Sequence, residues 1–196
     1  MFYSISSRHA TCILGRRYAL TSTSYKYLDI GISVGSVSYV EVILGDNRGN
    51  HIILPISTLN LLMHKRVEVE HLIQFENSML SIQDLSISVT MMHNSKIVKL
   101  SILDGNSLYM KPSTLFHLFD FEDCIDHMYL WLCENTYLVN EKFKQFVTVL
   151  QRNNITNVYD AVNAIRESNA YNNNSIIECE LVTCAVNDIV YNACNK

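Results

Sequence analysis

The feature that most constrains the fold is a period of two that the chain writes twice. Residues 29–34 read DIGISV, and residues 84–89 read DLSISV. Ile30, Ile32 and Val34 alternate with Gly31 and Ser33, while Leu85, Ile87 and Val89 alternate with Ser86 and Ser88. Successive side chains of a strand point to opposite faces, so each segment predicts a strand with one buried side. The neighbourhoods repeat too, as SYVEVILGDNRGNHIILPISTLNLL from residue 38 and KIVKLSILDGNSLYMKPSTLFHL from residue 96. Alignment sets Val40 on Val98, Val42 on Leu100, Leu44 on Ile102, Leu54 on Met110, and Ser57-Thr58-Leu59 on Ser113-Thr114-Leu115. The offsets of 55, 58 and 56 place every length change in a turn, as a duplicated unit does.

Within each copy a strand runs into a turn rich in residues that tolerate positive φ, Gly45-Asp46-Asn47-Arg48-Gly49 or Asp104-Gly105-Asn106. A short strand follows, then a Ser or Thr placed to cap a helix. Leu59, Leu62, Met63, Val69 and Ile73 line one side of the first helix. Leu115, Leu118, Phe119, Ile125, Tyr129 and Leu132 line the second. In the first copy Val40, Val42 and Leu44 point inward, with Tyr39, Glu41 and Ile43 outward. The expected class is α+β: two tandem modules of antiparallel strands followed by a helix, an internal pseudo-dimer, plus C-terminal helices. The expected divisions are 1–78, 79–138 and 139–196. A single non-duplicated α+β domain whose strands merely look alike is the alternative.

The C-terminal part reads as helical. Phe143, Phe146, Val147 and Leu150 share a face, Thr156 stands as a cap before Val158, Ala161, Val162 and Ile165, and Ser175 with Glu178 fits a capping box. Ile177, Leu181, Ala185 and Ile189 then mark a last helix.

Apolar residues at 48% and charged residues at 17% exclude a disordered tail. There is no apolar run of signal-peptide or membrane-spanning length, so the chain reads as non-secreted and intracellular, nuclear or cytoplasmic, with no membrane partner. The 6 Cys form no CxxC pair and read as reduced core thiols. Residues 1–66 carry seven basic and three acidic side chains, whereas residues 67–196 carry eight basic and sixteen acidic. That asymmetry within a net charge of -4 suggests one face meant for a polyanion, or an unevenly charged solvated surface. The 19 Asn fit an AT-rich coding source such as a viral or mobile-element gene.

A YVEV strand, a Gly-containing basic turn, another strand and a capped helix, twice over, resemble the single-stranded DNA-binding modules of the Positive Cofactor Four coactivator family. More loosely they resemble the whirly and Pur-type folds. The resemblance covers residues 25–75 and, more distantly, 80–133. It implies a curved antiparallel sheet from two modules, with single-stranded nucleic acid crossing the face opposite the helices. Glu41 stands where that family prefers an outward cation.

The residues themselves point the same way. In LGRRYALTSTSYKYLD the cations Arg16, Arg17 and Lys26 interleave with Tyr18, Tyr25 and Tyr27, which suits phosphate neutralisation with base stacking. Tyr39, Arg48, Lys99, Tyr109 and Lys111 extend the same face. Tyrosines that simply cover a sheet surface fit the pattern equally well. His117, Cys124, His127 and Cys133 lack zinc-knuckle spacing and read as core thiols and surface histidines. The acidic run Asp120, Glu122, Asp123 and Asp126 reads as a solvated helix face rather than a two-metal site. No GxSxG, HExxH or P-loop is present, and neither His9 nor His51 makes a nucleophile pair with a Cys. The expectation is a non-enzymatic single-stranded DNA- or RNA-binding protein with no cofactor and no metal. The alternative is a structural protein that self-associates through its C-terminal helices or docks a protein partner.

Overall fold

In the computed structural model the chain is described over residues 12–75, 79–153, 155 and 157–194, with side chains up to residue 187. The first module comprises β1 (Cys12–Ala19), β2 (Lys26–Ser33), β3 (Tyr39–Asp46), β4 (His51–Leu54), α1 (Ile56–His64) and α2 (Arg66–Gln74). The second comprises β5 (Met79–Ile82), β6 (Leu85–Met92), β7 (Ser95–Ile102), β8 (Ser107–Met110), α3 (Pro112–Phe119) and α4 (Glu122–Arg152). Two further helices follow, α5 (Val158–Arg166) and α6 (Ile176–Cys194). Each module is a four-stranded antiparallel meander, ordered β1-β2-β3-β4 and β5-β6-β7-β8. The fold is α+β, with two tandem modules of strands then helices and a helical C-terminal part.

The turn between the third and fourth strands carries the repeat most closely. In one module Asp46 N–H donates to Asn50 O and Gly49 N–H to Asp46 O; in the other Ile102 N–H donates to Asn106 O and Gly105 N–H to Ile102 O. Gly49 and Gly105 hold the same left-handed conformation, at φ 88° and 92°, which a side chain would resist. From this turn onward and backward, β3 and β7, β4 and β8, and α1 and α3 all start at a constant offset of 56. The hairpins therefore have equal length.

The doubled hexapeptide itself is not structurally equivalent. Asp84 lies in the β5–β6 turn, directly before β6, whereas Asp29 is the fourth residue of β2. Matching strand starts sets Lys26 on Leu85 and Leu28 on Ile87, four residues away from the literal match. The 58-residue offset for the next strand is likewise out by two. Both slips are even, and an even slip leaves every inward residue inward, so alternation alone could not detect them.

Helix starts also differ from expectation. α1 has Pro55 and α3 has Lys111 at the N-cap, neither with a side-chain bond, and Pro112 fills the first turn of α3. Thr58 is buried inside α1, where its hydroxyl donates to Gln83 Oε1 at 2.5 Å. The expected first helix is two, broken at Lys65, although all five predicted apolar positions are buried. α4 merges two expected helices into 31 residues. Thr156 lies outside the described residues, and the cap of α5 is Asn157, whose Oδ1 accepts the Asp160 N–H at 2.9 Å. At α6 Ser175 Oγ accepts Glu178 N–H at 3.4 Å. Glu178, buried in the first turn, does not return the bond but accepts from Asn172 N–H at 2.6 Å and pairs with Lys142 at 2.9 Å.

Two compact units emerge. Among the described residues, one takes those within 12–15, 31–40 and 131–194; the other takes those within 16–30 and 41–130. In the second unit α1 and α2 contact β5, α3 contacts β7, and β4 contacts β8. Its core is aliphatic, with Leu28, Leu44, Ile52, Leu59, Leu62, Leu85, Ile87 and Leu100 sealed from solvent. In the first unit α5 packs on α6, and Phe146, Ala161, Ile165, Leu181 and Ala185 are fully buried.

The cysteines depart from the core-thiol expectation. Of those described, only Cys184 is buried; Cys124, Cys133 and Cys179 are exposed, and none forms a disulfide. Among the described residues no helix is long and apolar enough to cross a membrane.

Candidate nucleic-acid interface

The two sheets treat their polar faces differently. On β3 the residues expected outward, Glu41 and Ile43, are 5% and 7% exposed. β2 is buried on both faces over its second half, residues 30–33. The first sheet therefore offers no open polar surface at its centre.

Around that centre the predicted cations and rings are engaged with one another. Arg17 makes a two-pronged bond to Asp29, Nε to Oδ1 at 2.7 Å and Nη2 to Oδ2 at 2.6 Å. Its guanidinium also lies 3.7 Å from the centre of the Tyr27 ring. The Asp29 bond raises the Arg17 pKa, so this cation is permanent. On its other side Tyr27 presses on Gly45, where an added Cβ would come within 2.7 Å of the ring. Tyr18 packs on Phe121 with centroids 5.2 Å apart and donates to Cys124 O at 3.4 Å. Burial raises its phenol pKa above the ordinary value. Arg16 is exposed, its guanidinium 5.9 Å from the Tyr18 ring.

Lys26 corrects the sequence reading most sharply. It is 8% exposed, and its ammonium is 2.8 Å from Asp46 Oδ2 beneath the sheet. A charge so placed neutralises its partner and is not offered to a phosphate. Asp46 also accepts from the backbone of Arg48 and from Asn50, which fixes the turn that displays the exposed Arg48. Tyr25 is half-buried with Lys26 Nζ 5.4 Å from its ring. Tyr39 is exposed and belongs to the other compact unit.

The second sheet keeps its polar face half-open. Antiparallel pairing lines up Met79, Ser88, Lys99 and Tyr109 across all four strands. The adjacent row consists of Ser81, Ser86, Ser101 and Ser107. Small hydroxyls stand beside a cation and a ring on this face, and Tyr109 is 44% exposed. Lys99 Nζ lies 5.8 Å from that ring, and Lys111 is exposed just past β8. The serine row was missed in the sequence because it requires register, which adjacent strands reveal only when paired.

The other candidates disperse. His117 reaches Asp120 at 3.3 Å, and His64 reaches Glu122 at 3.8 Å. Among the described residues no three His, Cys, Asp or Glu side chains converge as a metal site would require. Comparison of the chain with protein-family models, with curated proteins and with solved structures found no match.

Proposed function

We propose that this chain is a non-enzymatic protein that binds single-stranded nucleic acid, preferring DNA, on the polar face of its second sheet. The observation that carries the reading is the row Ser88–Lys99–Tyr109 beside four aligned serines. Lys99, Lys111 and the exposed Arg16 and Arg48 supply phosphate contacts, while Tyr109 supplies a stacking surface. With about four phosphates neutralised, the slope of log K against log salt on a single strand is about −3. Fluorescence anisotropy with a labelled oligothymidylate and its RNA counterpart, over a salt series, tests this. Affinity independent of salt, or no binding at low salt, refutes it.

A second reading, self-association, is favoured by one different observation. Trp131, Tyr137 and Leu138 on α4 are 40%, 76% and 45% exposed, an unusual apolar display on a helix otherwise buried along one side. Light scattering on the nucleic-acid-free chain separates the readings: a stable multimer that ignores oligonucleotide favours assembly.

A further inference from the structure

Beside Tyr109 a cleft of ≈ 570 Å³ opens within the second compact unit. Thr21 and Tyr25 from the β1–β2 connection form part of its wall, with Met92 at the end of β6, His93 of the β6–β7 turn, and Tyr109 and Lys111 of the β8 end. Two modules thus contribute one aromatic residue each to a single concavity.

Its chemistry is selective. Two tyrosines and the thioethers of Met92 and Met110 favour a flat, polarisable ligand. Among the described residues no Asp or Glu lines the cleft. Lys26 also lines it but is neutralised by Asp46, which leaves Lys111 as the exposed cation of the wall. The volume falls in the range of small-ligand sites, about 300–1,000 Å³, too small for a run of several nucleotides. The β6–β7 turn is itself unusual, with His93 at φ 50° and Asn94 at φ 57°. Both central residues at positive φ make the tight hairpin that holds His93 at the cleft, in a conformation few non-glycine residues adopt.

We infer that this cleft is a socket for a single nucleotide, its base against Tyr25 and Tyr109 and its phosphate at Lys111. This rests on the nucleic-acid reading and narrows it from a shallow track to one defined site. A nucleotide within a strand and a free mononucleotide share the chemistry, and the experiment tells them apart.

The full chain is titrated with a labelled short oligothymidylate by anisotropy, and with dTMP and inorganic phosphate by ¹H–¹⁵N NMR. The variants are Tyr109→Leu, Tyr109→Trp and Lys111→Gln, each with circular dichroism to verify folding. Expected are shifts at Thr21, His93 and Lys111 with dTMP but not with phosphate. A loss of oligonucleotide affinity of about tenfold is expected in Tyr109→Leu, restored in Tyr109→Trp. If the oligonucleotide binds wild type and loses affinity in Tyr109→Leu but dTMP moves no resonance, the socket is overturned while binding on the sheet stands. If phosphate alone reproduces the shifts, the site is an anion site and the base contact is overturned. If dTMP binds and the oligonucleotide does not, the socket stands as a free-nucleotide site and the strand-binding function falls. If neither binds, both fall.

Discussion

Lys26 and Asp46 form a buried ion pair at 2.8 Å in the first module, at the place where the second module pairs Leu85 with Ile102 across β6 and β7. The correspondence follows from the strand starts and the shared turn, since Asp46 and Ile102 make the same two turn hydrogen bonds. One fold thus solves one position both ways. Removing a single partner of such a pair strands the other charge and costs about 3–5 kcal/mol, whereas an apolar pair of similar volume is often neutral or better. Lys26→Met alone should therefore lower stability by about that amount in urea unfolding. Lys26→Leu with Asp46→Ile should recover most of the loss. Full recovery is not expected, because Asp46 also holds Asn50 and the Arg48 N–H, each bond worth about 1 kcal/mol. A double variant as unstable as the single one would show that module two is no guide to module one.

The same carboxylate sets an acid limit. Burial pushes the Asp46 pKa up, but the bonds from Lys26, Asn50 and Arg48 N–H outweigh it, and the value lies below the ordinary 3.8. A depressed folded pKa means that Asp46 contributes its full stability above pH 3.8 and loses it as pH falls through the folded value. Comparing wild type with Lys26→Leu/Asp46→Ile by urea midpoint from pH 6 downward measures this. The difference between them should shrink only below about pH 4. A difference that changes between pH 5 and 6 points to another group.

Gly45 is required by Tyr27. A methyl group at Gly45 would meet the ring at 2.7 Å, and a retreat of the ring would disturb the Arg17 guanidinium that lies 3.7 Å from its centre. Gly45→Ala should destabilise by about 1–3 kcal/mol, the usual cost of overpacking. In a Tyr27→Ala background the same change should cost much less, and the double-mutant cycle reads the coupling directly. Additive effects would mean the contact is relieved elsewhere.

How far the sequence revealed this molecule depends on which signal is asked to speak. Alternation of Leu85 and Ile87 with Ser86 and Ser88 located the strands, and the paired glycines Gly49 and Gly105 located the turns, since both are local properties. Register is not local. A slip of four residues kept Ile30 and Ile32 inward, so the literal hexapeptide misled the alignment while the architecture came out as expected. Among candidate site residues, sequence distinguished cations and rings but not their partners. Lys26 lies in an alternating stretch with the inward period of Leu28 and Ile30, a clue to its burial that its charge concealed. Glu41 was expected outward because strands usually leave one face wet, but β3 is covered on both sides. The meeting of Tyr25 with Tyr109 in one cleft needed the whole fold.

Thiol reactivity should sort by burial. Burial, with the Glu180 charge nearby, pushes the Cys184 thiol up to about 11. At pH 8 only about a thousandth of it is the reactive thiolate. Cys124, Cys133 and Cys179 are exposed. Timed iodoacetamide labelling with peptide mapping should modify those three first, and Cys184 only under denaturant. Early labelling of Cys184 in the native chain would mean that α6 opens readily.

Arg16 and Arg17 are neighbours in sequence but should fail differently. The guanidinium of Arg17 is held by Asp29 and laid on Tyr27, so Arg17→Ala removes a packing partner and leaves Asp29 unpaired. The pair is exposed, which limits the cost to about 1 kcal/mol, with a similar amount for the ring contact. Arg17→Ala should thus lower the melting temperature and leave the salt slope of oligonucleotide binding unchanged. Arg16→Ala should do the opposite, flattening that slope by about 0.7, one phosphate on a single strand. Lys111→Ala should flatten it by the same amount and also weaken dTMP binding. Equal slope changes for Arg16 and Arg17 would show that nucleic acid displaces Asp29 from Arg17, and would add Arg17 to the phosphate contacts.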